Sequence, residues 1–155
     1  MAQYTFADGD VLSATQVNTY LMGEGGAWTS WTPAVTQSGS VTVTNTRSRY
    51  ARYGRTIHFS TQLAVTGTGT GSNAITVTLP VTAAVADMTI GTGIFQDAST
   101  GVYYPAILYC TTTGVFELWD PQASSTVVAI GNSTFAGALA SGDIFRLSGT
   151  YEAAS

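Results

Sequence analysis

The sequence has no lysine and few charged residues of any kind. Charged residues make up 9% of its 155 residues and the formal net charge is −4, whereas an average soluble domain is roughly a quarter charged. Neutralising nucleic-acid phosphates needs several convergent basic side chains. The composition therefore argues against a nucleic-acid binder, and it suits a β-structured surface covered by copies of itself or by a larger assembly.

Cysteine and long apolar runs are also scarce. Cys110 is the only cysteine, so neither an intrachain disulfide nor a multi-cysteine zinc site can hold the fold, and we expect a buried, inert thiol. No stretch approaches the roughly 20 apolar residues that span a bilayer, and the first residues lack the pattern of a signal peptide. We expect no membrane insertion, no cofactor, and synthesis in the cytoplasm.

The first segment of the chain has the pattern of a short helix. Ser13 suits a helix N-cap, Gln16 completes a capping box, and the helix is predicted to run from about Ala14 to Met22. Val17 and Leu21, four residues apart, share one side of it. A helix of about nine residues is marginal alone, so its apolar side must dock on this domain or on another protein.

Past residue 27 the pattern changes to the alternation typical of strands. Short runs of apolar residues alternating with threonine and serine, separated by turn residues, favour an antiparallel β-sandwich or jelly roll. We divide the chain into an anchor segment with a short N-terminal helix, 1–27, and an all-β domain, 28–155. The glycine-rich stretch 67–73 is predicted to be a hairpin tip between the second and third strands. The predicted strands are Ser40–Thr44, Thr56–Thr66, Ile75–Leu79, Met88–Phe95, Val102–Cys110, Val115–Trp119, Thr126–Ile130 and Asp143–Tyr151.

Two parts of the sequence resemble bacteriophage structural proteins. Residues 6–21, FADGDVLSATQVNTYL, are similar to an opening found in many phage tail-fibre, minor tail and other virion proteins, F-x-x-G-x-x-L-[ST]-A-x-x-[VL]-N. The order Trp31-Thr32-Pro33, then YARYGRTIHF at 50–59, then Leu79-Pro80 is similar to a β module of such appendage proteins. The resemblance implies a virion component, commonly a homotrimer, that contacts other virion proteins of the tail or capsid. Residues 85–155 carry no motif that extends it.

Two sets of residues are predicted to make the contacts of such an assembly. The first would anchor the chain in the particle, and the second, an arginine cluster, would form a subunit interface by meeting carboxylates of a neighbouring copy, or would meet phosphate. A solvated strand edge protected from aggregation by charge explains the arginines equally well. The anchoring residues are Phe6, Leu12, Val17, Tyr20 and Leu21, and the arginines are Arg47, Arg49, Arg52 and Arg55.

Aromatic residues of the second half are a candidate recognition surface. Tyr103, Tyr109 and Trp119 could form the exposed aromatic plate that sugar-binding and protein-binding surfaces use. Alternation places Tyr103 and Tyr109 on one face of their strand and Tyr104 on the other, without deciding which face meets solvent. The alternative is that these rings fill the core.

The sequence does not have the residue clusters of an enzyme. His58 lacks the H-x-x-E or H-x-H spacing of a metal site, and Asp8 and Asp10 lack the further ligands of a calcium loop. Glu117 and Asp120 bracket Trp119, and a glycosidase uses such a pair of acids, but Asp120 is expected to begin a turn. We predict that the chain is not an enzyme and holds no metal.

The leading prediction is an appendage of the tail-fibre or minor-tail type, which assembles through its N-terminus and projects the β domain toward a host-surface glycan or protein. A capsid decoration protein is the alternative, favoured by the short chain without a fibre shaft. A carbohydrate-active enzyme is the third and weakest interpretation.

Overall fold

The structure, a computed structural model, describes residues 27–121, 128–131 and 137–154, together with Val11 and Ser13. The described residues form strands and no helix, which confirms the all-β class. The predicted helix at 14–22 lies outside these residues, as do the five predicted anchoring residues, Phe6, Leu12, Val17, Tyr20 and Leu21.

Eleven strands make one sheet in which every pairing is antiparallel. The order across the sheet is β1-β4-β5-β11-β7-β8-β9-β6-β2-β3, and β10 also pairs with β9. The strands are β1 (Thr29–Ser30), β2 (Val35–Gln37), β3 (Gly39–Val41), β4 (Val43–Tyr53), β5 (Thr56–Val65), β6 (Thr76–Thr78), β7 (Met88–Asp97), β8 (Val102–Thr112), β9 (Val115–Asp120), β10 (Val128–Ala129) and β11 (Ile144–Glu152).

The sheet curls until its two ends meet. Thr42 alone separates β3, at one end of the order, from β4, next to the other end. Phe59 on β5 and Phe116 on β9 are four strands apart along the sheet, yet their ring centroids are 5.7 Å apart. In a flat sheet, four steps of about 4.8 Å would separate them by about 19 Å. The curled sheet therefore encloses one core.

Strict alternation along the long strands fills this core. In β5, Ile57, Phe59 and Leu63 are buried while His58 is exposed, as the period of two predicts. β11 repeats the pattern with Phe145 and Leu147 buried. Fully burying an apolar side chain of this size stabilises a fold by roughly 1.5–3 kcal/mol, so these rows are the main source of stability.

The predicted hairpin around residues 67–73 is wrong. β5 pairs with β4 and β11, whereas β6 pairs with β2 and β9, so the segment between them crosses from one part of the sheet to another. It is held there by backbone hydrogen bonds from Gly67 N to Thr42 O (3.0 Å) and from Gly69 N to Leu139 O (2.8 Å). Glycine and serine indicate irregular backbone, but they do not select the partner of the next strand.

The alternation of apolar residues in the sequence predicts only part of the first strands. β1 and β2 were not predicted, and β4 was predicted only at its beginning. Polar Ser48 and Arg52 occupy core-facing positions of β4, and a register shift lies between Asn45 and Arg47, so the alternation of apolar residues is interrupted. A tight turn follows Tyr53: Tyr53 pairs with Thr56, and Gly54 adopts φ +58°, a left-handed conformation that glycine adopts without strain.

Candidate binding surfaces

A row of apolar and aromatic side chains lies on the outward face of β7, β8 and β9. Paired residues on neighbouring strands share a face, and Ala106, Leu108 and Cys110 of β8 are all buried, so the alternate residues of that strand point outward. We call this row the aromatic strip. Its members are Ile94, Tyr103, Pro105, Ile107, Tyr109 and Trp119, connected by the pairs Ile94↔Pro105 and Ile107↔Trp119.

The structure therefore decides which face of β8 meets solvent. Tyr103 is 58% exposed and Ile94 is 44% exposed, whereas Phe116 is fully buried. Tyr104 packs against the core, with its ring stacked 6.0 Å from Phe95. The three predicted recognition residues, Tyr103, Tyr109 and Trp119, thus lie together on one outward surface.

The centre of the strip is a stacked pair of rings. Tyr109 and Trp119 have centroids 4.4 Å apart and an interplanar angle of 23°, and Trp119 Nε1 donates a 2.9 Å hydrogen bond to Glu117 Oε2. Stacking and the hydrogen bond both fix the indole, so the strip presents a pre-organised aromatic surface. Asp120 is buried on the opposite face of β9, so Glu117 and Asp120 do not form a facing pair of acids.

The four clustered arginines do not converge on one site. Arg47 and Arg49 point outward from β4, and Arg52 lies on its other face, where Nε donates to the backbone carbonyl two residues further on. The one ion pair among the described residues joins Arg55 Nη1 to Glu152 Oε1 at 3.1 Å. Only Arg47 and Arg49 therefore remain as a shared outward feature, and their role as a subunit interface stays a prediction.

A second outward feature, missed in the sequence, is a groove beside Trp28. Trp28, Ala51, Tyr53 and His58 line one part of it, and the Arg49 guanidinium carbon lies 4.9 Å from the centroid of the Trp28 ring. A cation over an aromatic face is attracted by the ring, so Arg49 helps to orient this tryptophan. The only available signal was the short hairpin that brings Tyr53 and His58 together, with ring centroids 5.8 Å apart.

Two ionisable side chains in the core have shifted pKa values. Burial, and then the nearby charge of Asp87, raises the pKa of the Cys110 thiol, which is fully buried as expected. Burial also raises the pKa of Tyr151 to about 12. Its hydroxyl donates a 2.6 Å hydrogen bond to Val81 O and accepts one of 3.1 Å from Val81 N.

The described residues form neither a metal site nor a membrane-spanning helix. Within the part of the chain that the structure describes, no group of three or more His, Cys, Asp or Glu side chains is placed to hold a metal ion. Nor does any described segment form a helix long and apolar enough to cross a membrane. Comparison with protein-family models, with curated proteins and with solved structures found no match.

Proposed function

We propose that this chain is a structural protein of a bacteriophage particle, an appendage of the tail-fibre or minor-tail type. In this proposal the N-terminal segment attaches to other virion proteins, and the β domain projects the aromatic strip toward a host-surface glycan or protein. The resemblance of the first half of the sequence to phage appendage proteins supports the attachment. The aromatic strip supports the contact with the host surface.

The outward position of the strip is the observation that carries this proposal. Tyrosine and tryptophan combine a large apolar ring with a polar group, and they dominate the energetics of many binding surfaces. Here Tyr103 is more than half exposed, and the Tyr109–Trp119 stack is fixed before any ligand arrives. Contiguous exposed apolar surface on a soluble domain often marks an interaction site.

The finer architecture and the oligomeric state belong to the same proposal. We infer a jelly-roll-like sandwich, because side chains of strands far apart in the sheet order, such as Phe59 and Phe116, meet across the core. We also infer a homotrimer, in which the outward Arg47 and Arg49 contact a neighbouring copy. Native mass spectrometry of the full chain tests this, and a monomer at micromolar concentration contradicts it.

Immunogold labelling of purified particles tests the position on the virion. An antibody against the β domain is expected to label the tail. Labelling of the head would instead establish the alternative, a capsid decoration protein, which is favoured because the described residues form one curled sheet and no elongated shaft. Absence of the chain from washed particles, judged by mass spectrometry, would overturn both.

The third interpretation, a carbohydrate-active enzyme, requires Glu117 to act as an acid or a nucleophile. In the structure this carboxylate accepts the hydrogen bond from Trp119 Nε1. Release of reducing ends from host polysaccharide that is lost in Glu117→Gln would support the enzyme. We expect no such release.

A further inference from the structure

The groove beside Trp28 crosses the outward face of β4, β5, β11 and β7. It consists of two adjoining cavities, both wide open to solvent, of about 470 and 480 Å³ that share Trp28 and His58. Pockets for small molecules commonly measure about 300–1,000 Å³. No residue of the aromatic strip lines either cavity, so the groove is a separate place on the surface.

The first cavity exists because a small residue stands between two large rings. β1 pairs with β4 in the register Thr29↔Tyr50. Extending this register by one residue places Trp28 beside Ala51, and Ala51 in turn pairs with His58. Trp28 and Tyr53 are about half exposed, whereas Ala51 between them is only 3% exposed. The alanine is therefore the floor of a notch walled by Trp28, Tyr53 and His58.

The second cavity has a polar floor. The cross-strand pairs Ser60↔Ser148 and Ser148↔Thr92 place three hydroxyls in one row, and these three hydroxyls make no hydrogen bond to another described side chain or backbone group. In the next row, His58 Nδ1 and Thr150 Oγ1 are 2.9 Å apart. Hydroxyls both donate and accept hydrogen bonds, so this floor can bind a ligand that does the same.

The groove also has a distinct charge character. Of the described residues that line it, none is a carboxylate, a lysine or an arginine. A cationic ligand would meet no carboxylate there, and the one cation next to the groove, Arg49, already lies over the Trp28 ring. A purely apolar ligand would cover hydroxyls without satisfying their hydrogen bonds, which is costly. The chemistry that matches aromatic walls and a hydroxyl floor is a ring with one apolar C–H face and several hydroxyl groups.

We propose that this groove binds one pyranose unit of a neutral saccharide. The C–H face of the sugar packs against the Trp28 ring, and its hydroxyls bond to His58 and to the serine row of β5 and β11. This inference goes beyond the proposed function, because it rests on the groove alone and holds for the isolated chain whether or not the chain belongs to a particle.

Saturation-transfer difference NMR on the full chain tests the proposal. The probes are the methyl glycosides of glucose, galactose, mannose and N-acetylglucosamine at millimolar concentration, with methyl glucuronide as the charged comparison. We expect saturation transfer to at least one neutral glycoside, strongest at its C–H protons, and at least tenfold weaker transfer to the glucuronide. No transfer to any neutral glycoside, or equal transfer to the glucuronide, overturns the proposal.

Three variants locate the binding. Trp28→Ala removes the aromatic wall, and Ala51→Leu adds bulk at the floor of the notch while keeping Trp28, Tyr53 and His58 around it, so both are expected to abolish the signal. Tyr103→Ala, an exposed aromatic residue of the strip, is the matched control and is expected to keep it. Loss in Tyr103→Ala with retention in Trp28→Ala would place the sugar on the strip and overturn the assignment to the groove.

Discussion

The backbone N–H of Leu139 donates a 2.8 Å hydrogen bond to Oε1 of Gln37, 102 residues earlier in the chain. The Gln37 side chain is fully buried, and its Nε2 donates to the carbonyl oxygens of Gly137 (2.8 Å) and Asn73 (3.3 Å). One side-chain amide at the end of β2 thus satisfies backbone groups of two irregular connections. It fixes loops that no sheet pairing holds.

We expect Gln37→Leu to destabilise the domain. The leucine retains the bulk of the side chain but leaves the buried Leu139 N–H without its partner, and a buried unsatisfied group costs about 1–3 kcal/mol. Urea denaturation measures the change in the free energy of unfolding. Gln62→Leu, the same change on the outward face of β5, is the control, and its free energy of unfolding should stay within about 0.5 kcal/mol of the wild type. Equal effects of the two substitutions would disprove the role of Gln37 in holding the two connections.

The sequence was a good guide where a strand carries its own pattern. In β5 and β11 the alternating residues define the buried face locally, and the structure has the same faces. It failed where the outcome depends on a distant partner. The composition of residues 67–73 could not reveal that both edges of β5 are occupied by β4 and β11, so a crossing connection was taken for a hairpin.

The same distinction between a local pattern and a distant partner applies to the candidate sites. Alternation grouped Tyr103 with Tyr109, but only the packing of Leu108 into the core shows that their face is outward. The groove was missed because Trp28, Ala51 and Thr150 are adjacent only through the pairings of β4, β5 and β11. A surface assembled across strands follows from register, and register is set by long-range packing.

Gly149 allows β7 and β11 to approach each other above an aromatic ring. A Cβ atom added there would lie 2.7 Å from Phe59 Cε1 and 2.8 Å from Phe59 Cζ, and closer still to Ile90 O. Gly149→Ala is therefore expected to lower the free energy of unfolding by about 1–3 kcal/mol, seen as a lower Tm. Gly39→Ala is the control, because nothing lies within 4 Å of its added Cβ; similar Tm values for the two variants would contradict the packing argument.

The buried hydroxyl of Tyr151 predicts a loss of stability at alkaline pH. Its pKa is raised from 10.0 to about 12 by burial, and the unfolded chain loses the same proton near the ordinary value. Because the folded pKa is the higher one, this contribution is complete below pH 10 and is lost as the pH rises toward about 12. Urea denaturation across this range measures it.

Two variants isolate the contribution of Tyr151. The pKa of Cys110 is raised as well, so ionisation of this thiol also lowers the free energy of unfolding as the pH rises, beginning at a lower pH. The series is therefore measured in a Cys110→Ala background. Tyr151→Phe should flatten the remaining pH dependence and leave Val81 N and O without their partner. An unchanged slope in Tyr151→Phe would refute the assignment.

The aromatic strip predicts a defect in host contact. Trp119→Ala removes both the stack on Tyr109 and the hydrogen bond to Glu117, and truncation of a residue at the centre of a binding surface commonly costs about 2 kcal/mol or more. We therefore expect roughly 30-fold weaker binding of the purified chain to host cells, measured by flow cytometry. Thr113→Ala, at an exposed turn outside the strip, should bind like the wild type. Equal binding by Trp119→Ala would remove the strip from the proposal.

The proposed attachment through the N-terminal segment makes the last prediction. The described core cluster lies wholly between Val35 and Ala153, so deleting residues 1–24 should leave the β domain folded, with the β-strand signal of its circular dichroism spectrum retained. The same deletion should abolish incorporation into particles, measured by mass spectrometry after complementation of a phage that lacks the gene.

Single substitutions in the full chain refine that test, because a deletion also removes the backbone of the segment. Val17→Ala and Leu21→Ala shorten the apolar side of the predicted helix, and truncating buried leucine costs on the order of 2–5 kcal/mol. Each should therefore reduce incorporation at least tenfold, whereas Thr19→Ala, on the other side of that helix, should not. Incorporation of the deleted chain at the wild-type level would show that the β domain, through Arg47, Arg49 or the aromatic strip, makes the contacts that hold it in the particle.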